Sequence, residues 1–155
     1  MPRVEESISI SRHAEDVFAY LTDPANDPVW QSGVVESELI DGGERRAGSR
    51  IRVVRRFLGR RMEFVGEVTR WEPPNRAVIK SVEGPFRFDG SYQCEPENGG
   101  CRVTIAGDLG SFGGFFGKLA DPVVTQMGVR QLRADLENLK DILESRPEAD
   151  AQPSP

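Results

Sequence analysis

Histidine and cysteine are scarce in this sequence, which contains one histidine, His13, and two cysteines, Cys94 and Cys101. A structural zinc site needs about four ligands from Cys, His or carboxylate side chains, so the composition argues against one. A Ser-His-Asp or Cys-His catalytic arrangement would have to use His13. We expect that residue to be exposed at the start of a first helix instead. No metal and no cofactor are therefore predicted.

Long hydrophobic runs are also absent. No apolar stretch is long enough to span a membrane, and the opening MPRVEESISI has no apolar core of signal-peptide length. We predict a cytoplasmic protein without an integral membrane segment. The net charge of −5 argues against general nucleic-acid binding. At 155 residues the chain fits a single domain, predicted over 1–144, followed by a flexible C-terminal tail over 145–155.

The N-terminal third is predicted to contain a strand, two short helices and a second strand. Apolar residues alternate from 4 to 10, which is typical of a strand with one buried face. Ser11 is the predicted N-cap of the first helix. Pro24 and Pro28 limit the next helix to a short turn before Trp30. A weak strand is expected over 34–40.

Two hairpins are predicted in the middle of the chain. In the first, over 49–57 and 62–70, pairing Phe57 with Met62 gathers nearly every apolar residue of both strands onto one face. In the second, Cys94 is predicted to pair with Cys101, and both thiols are expected to be free in a reducing cytoplasm. The strand between the hairpins has two alternative inward sets: Val78, Lys80 and Val82, or Ala77, Ile79 and Ser81.

The C-terminal part is predicted to form one long helix over 115–144, with a kink or restart at Asp121-Pro122. Its apolar residues repeat at intervals of three and four, which buries one face along the helix: Val129, Leu132, Leu136, Leu139 and Leu143.

Four stretches in this order carry a resemblance to a known superfamily: ISISRHAEDVFAYLTDPANDPVW with Asp23 and Trp30, GSRIRVV, GEVTRWEPPNRAVIKS and LRADLENLKDILE. They resemble the SRPBCC superfamily, and within it the polyketide cyclase/dehydratase-type proteins with the START-like, helix-grip fold. The resemblance covers residues 3–144. It implies an α+β fold with a curved antiparallel sheet around the long C-terminal helix and two short helices after the first strand. The superfamily includes cyclases, lipid and quinone carriers, hormone receptors and chaperone activators, so it does not define an activity.

The predicted ligand-binding residues are mostly aromatic. Arg55 shares its predicted face with apolar side chains, where an isolated charge would need an anionic partner. Alternatively, a local bulge turns Arg55 outward. Tyr92 is the second polar candidate, because a buried hydroxyl needs a partner. The full predicted set is Trp30, Arg55, Phe57, Phe64, Tyr92, Phe115, Phe116 and Met127.

Arginines are concentrated in residues 45–61, which contain eight of them and no acidic residue. Such a segment could bind an anionic partner, but few aromatic residues lie between the arginines for base stacking. A solvated outer strand face is therefore the preferred interpretation, and no nucleic acid is predicted as a partner. Gly66 and Gly90 fall within predicted strands, where glycine indicates either a bend or room beside the sheet.

The leading functional prediction is binding of a small hydrophobic ligand, polyketide-, lipid- or quinone-like, in a cavity between the sheet and the C-terminal helix. The first alternative is a polyketide cyclase/dehydratase-like enzyme that transfers protons and stabilises an enolate with Arg55, Tyr92 or a carboxylate. The second alternative is a protein-interaction module with a basic strand face. The sequence identifies no catalytic residue and leaves a homodimer open.

Overall fold

A computed structural model gives the structure of residues 3–146. The predicted tail lies outside the described residues from 147 onward. A 3-10 turn over Pro24–Asn26 lies between the first two helices. The strands and helices in chain order are β1 (Arg3–Ile10), α1 (Ala14–Leu21), α2 (Asp27–Trp30), β2 (Val34–Leu39), β3 (Arg50–Phe57), β4 (Arg60–Glu72), β5 (Arg76–Glu83), β6 (Phe88–Glu97), β7 (Gly100–Leu109) and α3 (Asp121–Glu144).

The seven strands form one antiparallel sheet in the order β1-β7-β6-β5-β4-β3-β2. β1 and β2 follow each other in the chain but lie at opposite edges, so α1 and α2 cross from one edge to the other. Register shifts in β2 and β4 increase the bend of the sheet. α3 packs against β1 and α2 on the concave side. The predicted helix-grip fold, with two short helices after the first strand, is confirmed.

The hairpin of β3 and β4 has the predicted faces but a different register. Phe57 pairs with Arg60, and Met62 pairs with Arg55, so the predicted pairing of Phe57 with Met62 was wrong by two residues. The cause is a two-residue turn in which Leu58 and Gly59 both have positive φ, 53° and 77°. A shift of two residues leaves every side chain on its predicted face, because side chains alternate with a period of two.

The hairpin of β6 and β7 differs from its prediction in the same way. Cys94 pairs with Val103, and Cys101 pairs with Pro96, so the two cysteines are not directly opposite each other. The turn is again two residues long, with positive φ at Asn98 and Gly99. Both thiols are buried and free.

The helix starts also differ from the predicted positions. α1 begins at Ala14 with His13 as its N-cap, so Ser11 is not the cap. The Ser11 backbone N–H donates to Glu144 at the end of α3 instead (2.8 Å). His13 is exposed, as predicted. α3 begins at Asp121-Pro122, and the predicted helix start at 115 was wrong, because the glycine-rich segment before Asp121 forms turns.

The end of α3 is fixed to the N-terminal half of the chain. Arg12 is buried and donates to the carbonyl oxygens of Leu143 (2.7 Å) and Arg146 (2.6 Å). The Arg146 guanidinium lies over the Tyr20 ring, 4.7 Å from its centroid. Packing therefore extends two residues beyond the predicted domain end at 144.

Two apolar clusters lie between the helices and the sheet. One lies beneath α1 and the C-terminal half of α3, around Trp30, Leu136 and Leu139. The other is a phenylalanine cluster at the opposite end: Phe57, Phe64, Phe86, Phe88, Phe112, Phe115 and Phe116, with Met62, Leu109 and Val124. Every phenylalanine except Phe18 belongs to it.

Candidate functional site

A cavity of about 170 Å³ lies between α3 and the concave face of the sheet, where the two apolar clusters meet. Its wall is mainly apolar, and most of its polar groups come from β3, β6 and α3. The lining side chains include Trp30, Arg55, Phe57, Met62, Phe86, Phe88, Tyr92, Ile105, Leu109, Phe112, Phe116, Val124, Thr125, Gln131, Leu132 and Asp135, with Gly90, Gly107 and Gly128.

A second cavity of about 90 Å³ adjoins the first. The two share a wall formed by Arg55, Phe88, Gly90 and Tyr92. The smaller cavity continues between α2 and the middle of β3, β4 and β5, and its further lining residues include Leu21, Thr22, Pro24, Asp27, Ile51, Val53, Phe64, Gly66, Ile79 and Ser81. A polar side chain in the shared wall can therefore contact molecules on both sides.

Six of the predicted site residues line these cavities. Five lie on the larger one: Trp30, Arg55, Phe57, Tyr92 and Phe116. Phe64 lies on the smaller one. Phe115 lies in the loop before α3, where it packs on Phe86 and Phe116 and lines neither cavity.

Met127 is 39% exposed and does not line either cavity. The side of α3 that faces the larger cavity carries Val124, Gly128 and Gln131, which repeat at helical spacing. Met127 is one residue away from Gly128, so its side chain points about 100° away from that face.

The Arg55 side chain points toward the cavities, as the alternation of side chains along β3 predicts. A bulge does occur nearby, but it lies in β2 between Val34 and Glu36 and leaves β3 regular. The Arg55 guanidinium lies over the Phe88 ring, 5.2 Å from its centroid. Among residues 3–146 it forms no hydrogen bond and no ion pair. Its N–H donors are therefore free to bind a ligand oxygen.

Asp27 is a buried acid on the wall of the smaller cavity, 9% exposed. Burial raises the pKa of its carboxyl to about 6, although Ser37 and the charge of Arg55 act in the opposite direction. The Ser37 hydroxyl donates to Oδ2 at 2.7 Å, and the Gln31 amide donates to Oδ1 at 3.4 Å. The carboxyl therefore changes charge at about pH 6.

Asp135 is a second buried acid, on α3 at the larger cavity. Its Oδ1 accepts from the Ser32 backbone N–H (3.1 Å), the Ser32 hydroxyl (3.2 Å) and the Gln131 amide (3.0 Å). Gln131 also donates to the Ser32 hydroxyl. Burial raises the pKa of Asp135, and these hydrogen bonds oppose the shift. The group joins α3 to the segment after α2.

Tyr92 lies in the wall between the two cavities. Burial, followed by the nearby charge of Asp27, raises the pKa of its hydroxyl well above the ordinary value, so the group stays protonated. Within the part of the chain that the structure describes, the hydroxyl has no hydrogen-bond partner. Trp30 Nε1 and Thr125 Oγ1 in the larger cavity's wall are buried and have no hydrogen-bond partner among the same residues.

The two mid-strand glycines have different roles. Gly66 lies beside the register shift between Val65 and Gly66, so it marks a bend of the sheet. Gly90 lines both cavities and pairs with Gly107 on β7, so this glycine pair leaves space beside the sheet. On β5 the inward set is Ala77, Ile79 and Ser81, and Lys80 is exposed away from the site.

Sequence reasoning missed Asp27, Asp135 and Gly128. Asp27 lies in an irregular segment, where periodicity gives no side-chain direction. Asp135 and Gly128 are on the inward face of α3, and Gly128 follows the spacing of the leucines at 132, 136 and 139. Gly128 and Asp135 interrupt that apolar face, and this interruption was the signal in the sequence that could have identified them.

Three of the arginines on the outer face of β3 and β4 are paired with glutamates of neighbouring strands, whereas Arg56 lies opposite Arg61. The Arg52 guanidinium lies within 4 Å of three glutamates: Glu63 (3.0 Å), Glu38 (3.5 Å) and Glu36 (3.9 Å). The other pairs are Arg50 with Glu67 and Arg61 with Glu36. The acidic partners lie outside residues 45–61, and they give this face the mixed charge of a solvated surface.

Substitution of Gly128 tests whether the larger cavity leaves open space beside this residue of α3. A Cβ built at this position meets no atom within 4 Å, whereas one at Gly66 meets Ile79 at 2.7 Å. Gly128→Ala is expected to stabilise the protein by about 1 kcal/mol through helix propensity, which raises Tm by about 3 °C in thermal unfolding. Gly66→Ala is the control and should lower Tm. A lower Tm for Gly128→Ala would contradict the open space.

Two further observations concern residues 3–146. No group of three or more His, Cys, Asp or Glu side chains among them is arranged to hold a metal ion. None of their helices is both long and apolar enough to cross a membrane.

Solved structures with this fold come from diverse sources. TTHA0849 from Thermus thermophilus has a TM-score of 0.80 and 23% identity, with 94% of this chain and 100% of that chain covered. A START superfamily protein from Mycobacterium smegmatis has a TM-score of 0.76 and 14% identity, with 92% and 97% covered. The di-domain ARO/CYC BexL from the BE-7585A biosynthetic pathway has a TM-score of 0.72 and 19% identity, with 96% and 48% covered.

These structural similarities confirm the START-like fold. Sequence identities below 25% do not assign the activity of those proteins to this chain. No curated protein matches the sequence closely enough to be counted as a relative. The model of the family described as "Polyketide cyclase / dehydrase and lipid transport" matches residues 1–144. The chain therefore belongs to the polyketide cyclase/dehydrase and lipid transport family.

Proposed function

We propose that this protein binds a small, mainly apolar molecule with one acidic or strongly accepting oxygen, in the cavity between α3 and the sheet. The observation that carries the proposal is the free guanidinium of Arg55 in an otherwise apolar wall shared by both cavities. A partly buried guanidinium without an ion pair loses hydration, and a ligand anion or carbonyl oxygen would restore its hydrogen bonds. Polyketide-, quinone- and lipid-like compounds all have this combination of apolar body and oxygen.

The apolar surface of the larger cavity supports the first half of the proposal. A dry cavity of about 150 Å³ with an apolar wall is large enough for a benzene-sized molecule. The volume of about 170 Å³ therefore suits one aromatic ring, and the adjoining 90 Å³ offers space for an attached group. The family description, which covers both polyketides and lipids, agrees with an apolar ligand.

A graded ligand panel tests the proposal: benzoic acid, 2-naphthoic acid, 1,4-naphthoquinone and decanoic acid. Thermal shift and native mass spectrometry are the two readouts. We expect at least one compound to raise Tm and to bind at one copy per chain. Binding stabilises the folded state in proportion to the logarithm of ligand concentration, so Tm should rise steadily with added ligand. If no compound does so, the proposal is wrong.

Gly128→Leu is the matched variant for the cavity. Its side chain would enter the larger cavity, where the glycine leaves open space, and leucine favours the helix. We expect the variant to keep or exceed the parent Tm and to lose binding of the panel compounds. Unchanged binding would place the ligand elsewhere on the protein.

Arg55→Met tests the polar half of the site. Methionine keeps an unbranched apolar side chain and removes the charge. Hydrogen bonds to charged groups contribute about 1.5–3 kcal/mol, so affinity for 2-naphthoic acid should fall roughly 10- to 100-fold. The neutral methyl ketone, 2-acetylnaphthalene, should lose much less affinity. Titration calorimetry on both compounds measures the difference, and equal losses would show that Arg55 does not recognise charge.

The basic-face alternative receives less support. Arg50, Arg52 and Arg61 on the outer strand face are paired with glutamates, which reduces the positive potential available to an anionic partner.

A further inference from the structure

Asp27 differs from the other buried aspartates in the hydrogen bonds that its side chain accepts. Asp89 accepts from a backbone N–H (Ser81, 3.0 Å) and from Arg87 (2.6 Å). Asp135 accepts three hydrogen bonds, one of them from a backbone N–H. Within residues 3–146, Asp27 accepts only two, both from side chains, and the one from Gln31 is long at 3.4 Å. Structural needs therefore account for Asp89 and Asp135 better than for Asp27.

Asp27 also faces two hydrogen-bond donors across a cavity. Its side chain lines the smaller cavity together with Arg55 from β3 and Tyr92 from β6. Neither Arg55 nor Tyr92 has a hydrogen-bond partner among residues 3–146. Most of the remaining wall is apolar, with Leu21, Ile51 and Phe64 among the lining residues. An acid–base group and two free donors thus meet around one small space, and the same two donors reach the ligand cavity.

We propose that Asp27 is a catalytic acid–base that moves a proton to and from the carbon next to a ketone carbonyl of the ligand, with Arg55 and Tyr92 holding the carbonyl oxygen. The substrate class is therefore an enolisable ketone with an apolar body. This inference rests on the proposed function, because the apolar body is taken to occupy the larger cavity while the ketone reaches the smaller one.

The proton transfer balances without a further reagent. The Asp27 carboxylate takes a proton from the carbon adjacent to the carbonyl, and the electron pair of that C–H bond forms a C=C bond. The π electrons of the C=O bond move to oxygen, and the resulting enolate accepts hydrogen bonds from the Arg55 guanidinium and the Tyr92 hydroxyl. Asp27 then returns the proton, either to the same carbon or to a conjugated carbon. Nothing is oxidised or reduced.

The charges around Asp27 suit this role. The positive charge of Arg55 on β3 lowers the pKa of Asp27, while burial and the negative charge of Asp23, before α2, raise it to about 6. A carboxylate with a pKa near 6 is mostly ionised at pH 7 and is a stronger base than an exposed aspartate. Tyr92 on β6 has a raised pKa and remains a hydrogen-bond donor over the whole range.

Exchange of ketone protons in deuterium oxide tests this step. The probe is 2-indanone, and the loss of its α-proton signal is followed by NMR with and without protein. We expect exchange above the buffer rate, rising from pH 5 and levelling above about pH 7 as Asp27 ionises. Asp27→Asn should reduce the protein-dependent rate roughly 100-fold. Asp141→Asn, which removes an exposed carboxylate of α3, should leave it unchanged.

Binding of 2-indanone is measured in the same samples by saturation transfer, with Gly128→Leu as the variant that fills the larger cavity. Bound ketone that exchanges no faster than in buffer, or exchanges equally with Asp27→Asn, would overturn the catalytic role and leave the binding function intact. Absence of saturation transfer from the parent protein would count against both. Thermal unfolding of Asp27→Asn shows that any loss of exchange comes from a folded protein.

Discussion

Phe86→Ala is expected to lower the free energy of unfolding by about 4 kcal/mol, the largest loss from a single substitution that we predict. The Phe86 ring is at the centre of the phenylalanine cluster. Its centroid lies 4.8 Å from that of Phe112, 5.3 Å from that of Phe64 and 5.9 Å from those of Phe115 and Phe116. Truncation removes the buried ring together with these ring contacts, three of which are edge-to-face.

The surroundings cannot collapse fully into the space that Phe86 would leave. Phe86 already lines the larger cavity, so its loss would enlarge that cavity beyond about 170 Å³. Urea unfolding measures the effect, and Phe115→Ala is the control at the edge of the same cluster. Phe115 is only partly buried and should lose less than half as much. Equal losses would show that Phe86 does not hold the cluster together.

The enlarged cavity gives Phe86→Ala a second consequence. If ligand size is limited by this end of the site, the variant should bind 2-naphthoic acid relatively better than benzoic acid, compared with the parent. Calorimetry on both acids gives the ratio. The two acids share the same carboxylate, so a change in the ratio reports the space around the apolar body.

Strand faces were predictable from the sequence, whereas strand registers were not. The face depends only on whether a residue is odd or even along a regular strand, so counting placed Tyr92 inward and gave an inward Arg55 as one of two alternatives. Register depends on the turn. Leucine seldom has positive φ, and Leu58 therefore gave no sign of the two-residue turn that pairs Phe57 with Arg60.

The same alternation predicted much of the apolar wall of the site, but it did not predict the two buried acids, Asp27 and Asp135. Asp27 lies at the junction of a 3-10 turn and a four-residue helix, where neither period applies. Its burial depends on β2, which supplies Ser37, and on β3, which supplies Arg55. Such neighbours come from distant parts of the chain, and only the folded structure brings them together.

Asp27→Asn is expected to raise the free energy of unfolding by about 3 kcal/mol at pH 7 and by only about 0.5 kcal/mol at pH 4. The pKa of Asp27 is raised from 3.8 to about 6 in the folded protein. The unfolded chain therefore loses this proton more readily than the folded protein does. The stability that the protonated acid provides is complete below pH 3.8 and is lost as the pH rises through 6.

Asparagine lacks this cost because it does not ionise. Asparagine can also form hydrogen bonds with both partners of Asp27, because its oxygen can accept from Gln31 and its amide can donate to the Ser37 hydroxyl. Urea unfolding of parent and variant at pH 4, 5, 6 and 7 measures the difference, and titrations common to both proteins cancel in it. A difference that does not grow with pH would contradict the raised pKa.

Asp89→Asn is the matched control, since it is the same substitution at another buried aspartate. Arg87 donates to Asp89 at 2.6 Å, so loss of the charge removes an ion pair and should destabilise the protein at pH 7. Opposite effects at the two positions would separate a carboxylate that stabilises the fold from one that weakens it. A protein that is more stable without the charge of Asp27 keeps that charge at a cost in stability, and the proposed role in moving the ligand's proton would explain why an acid occupies this position.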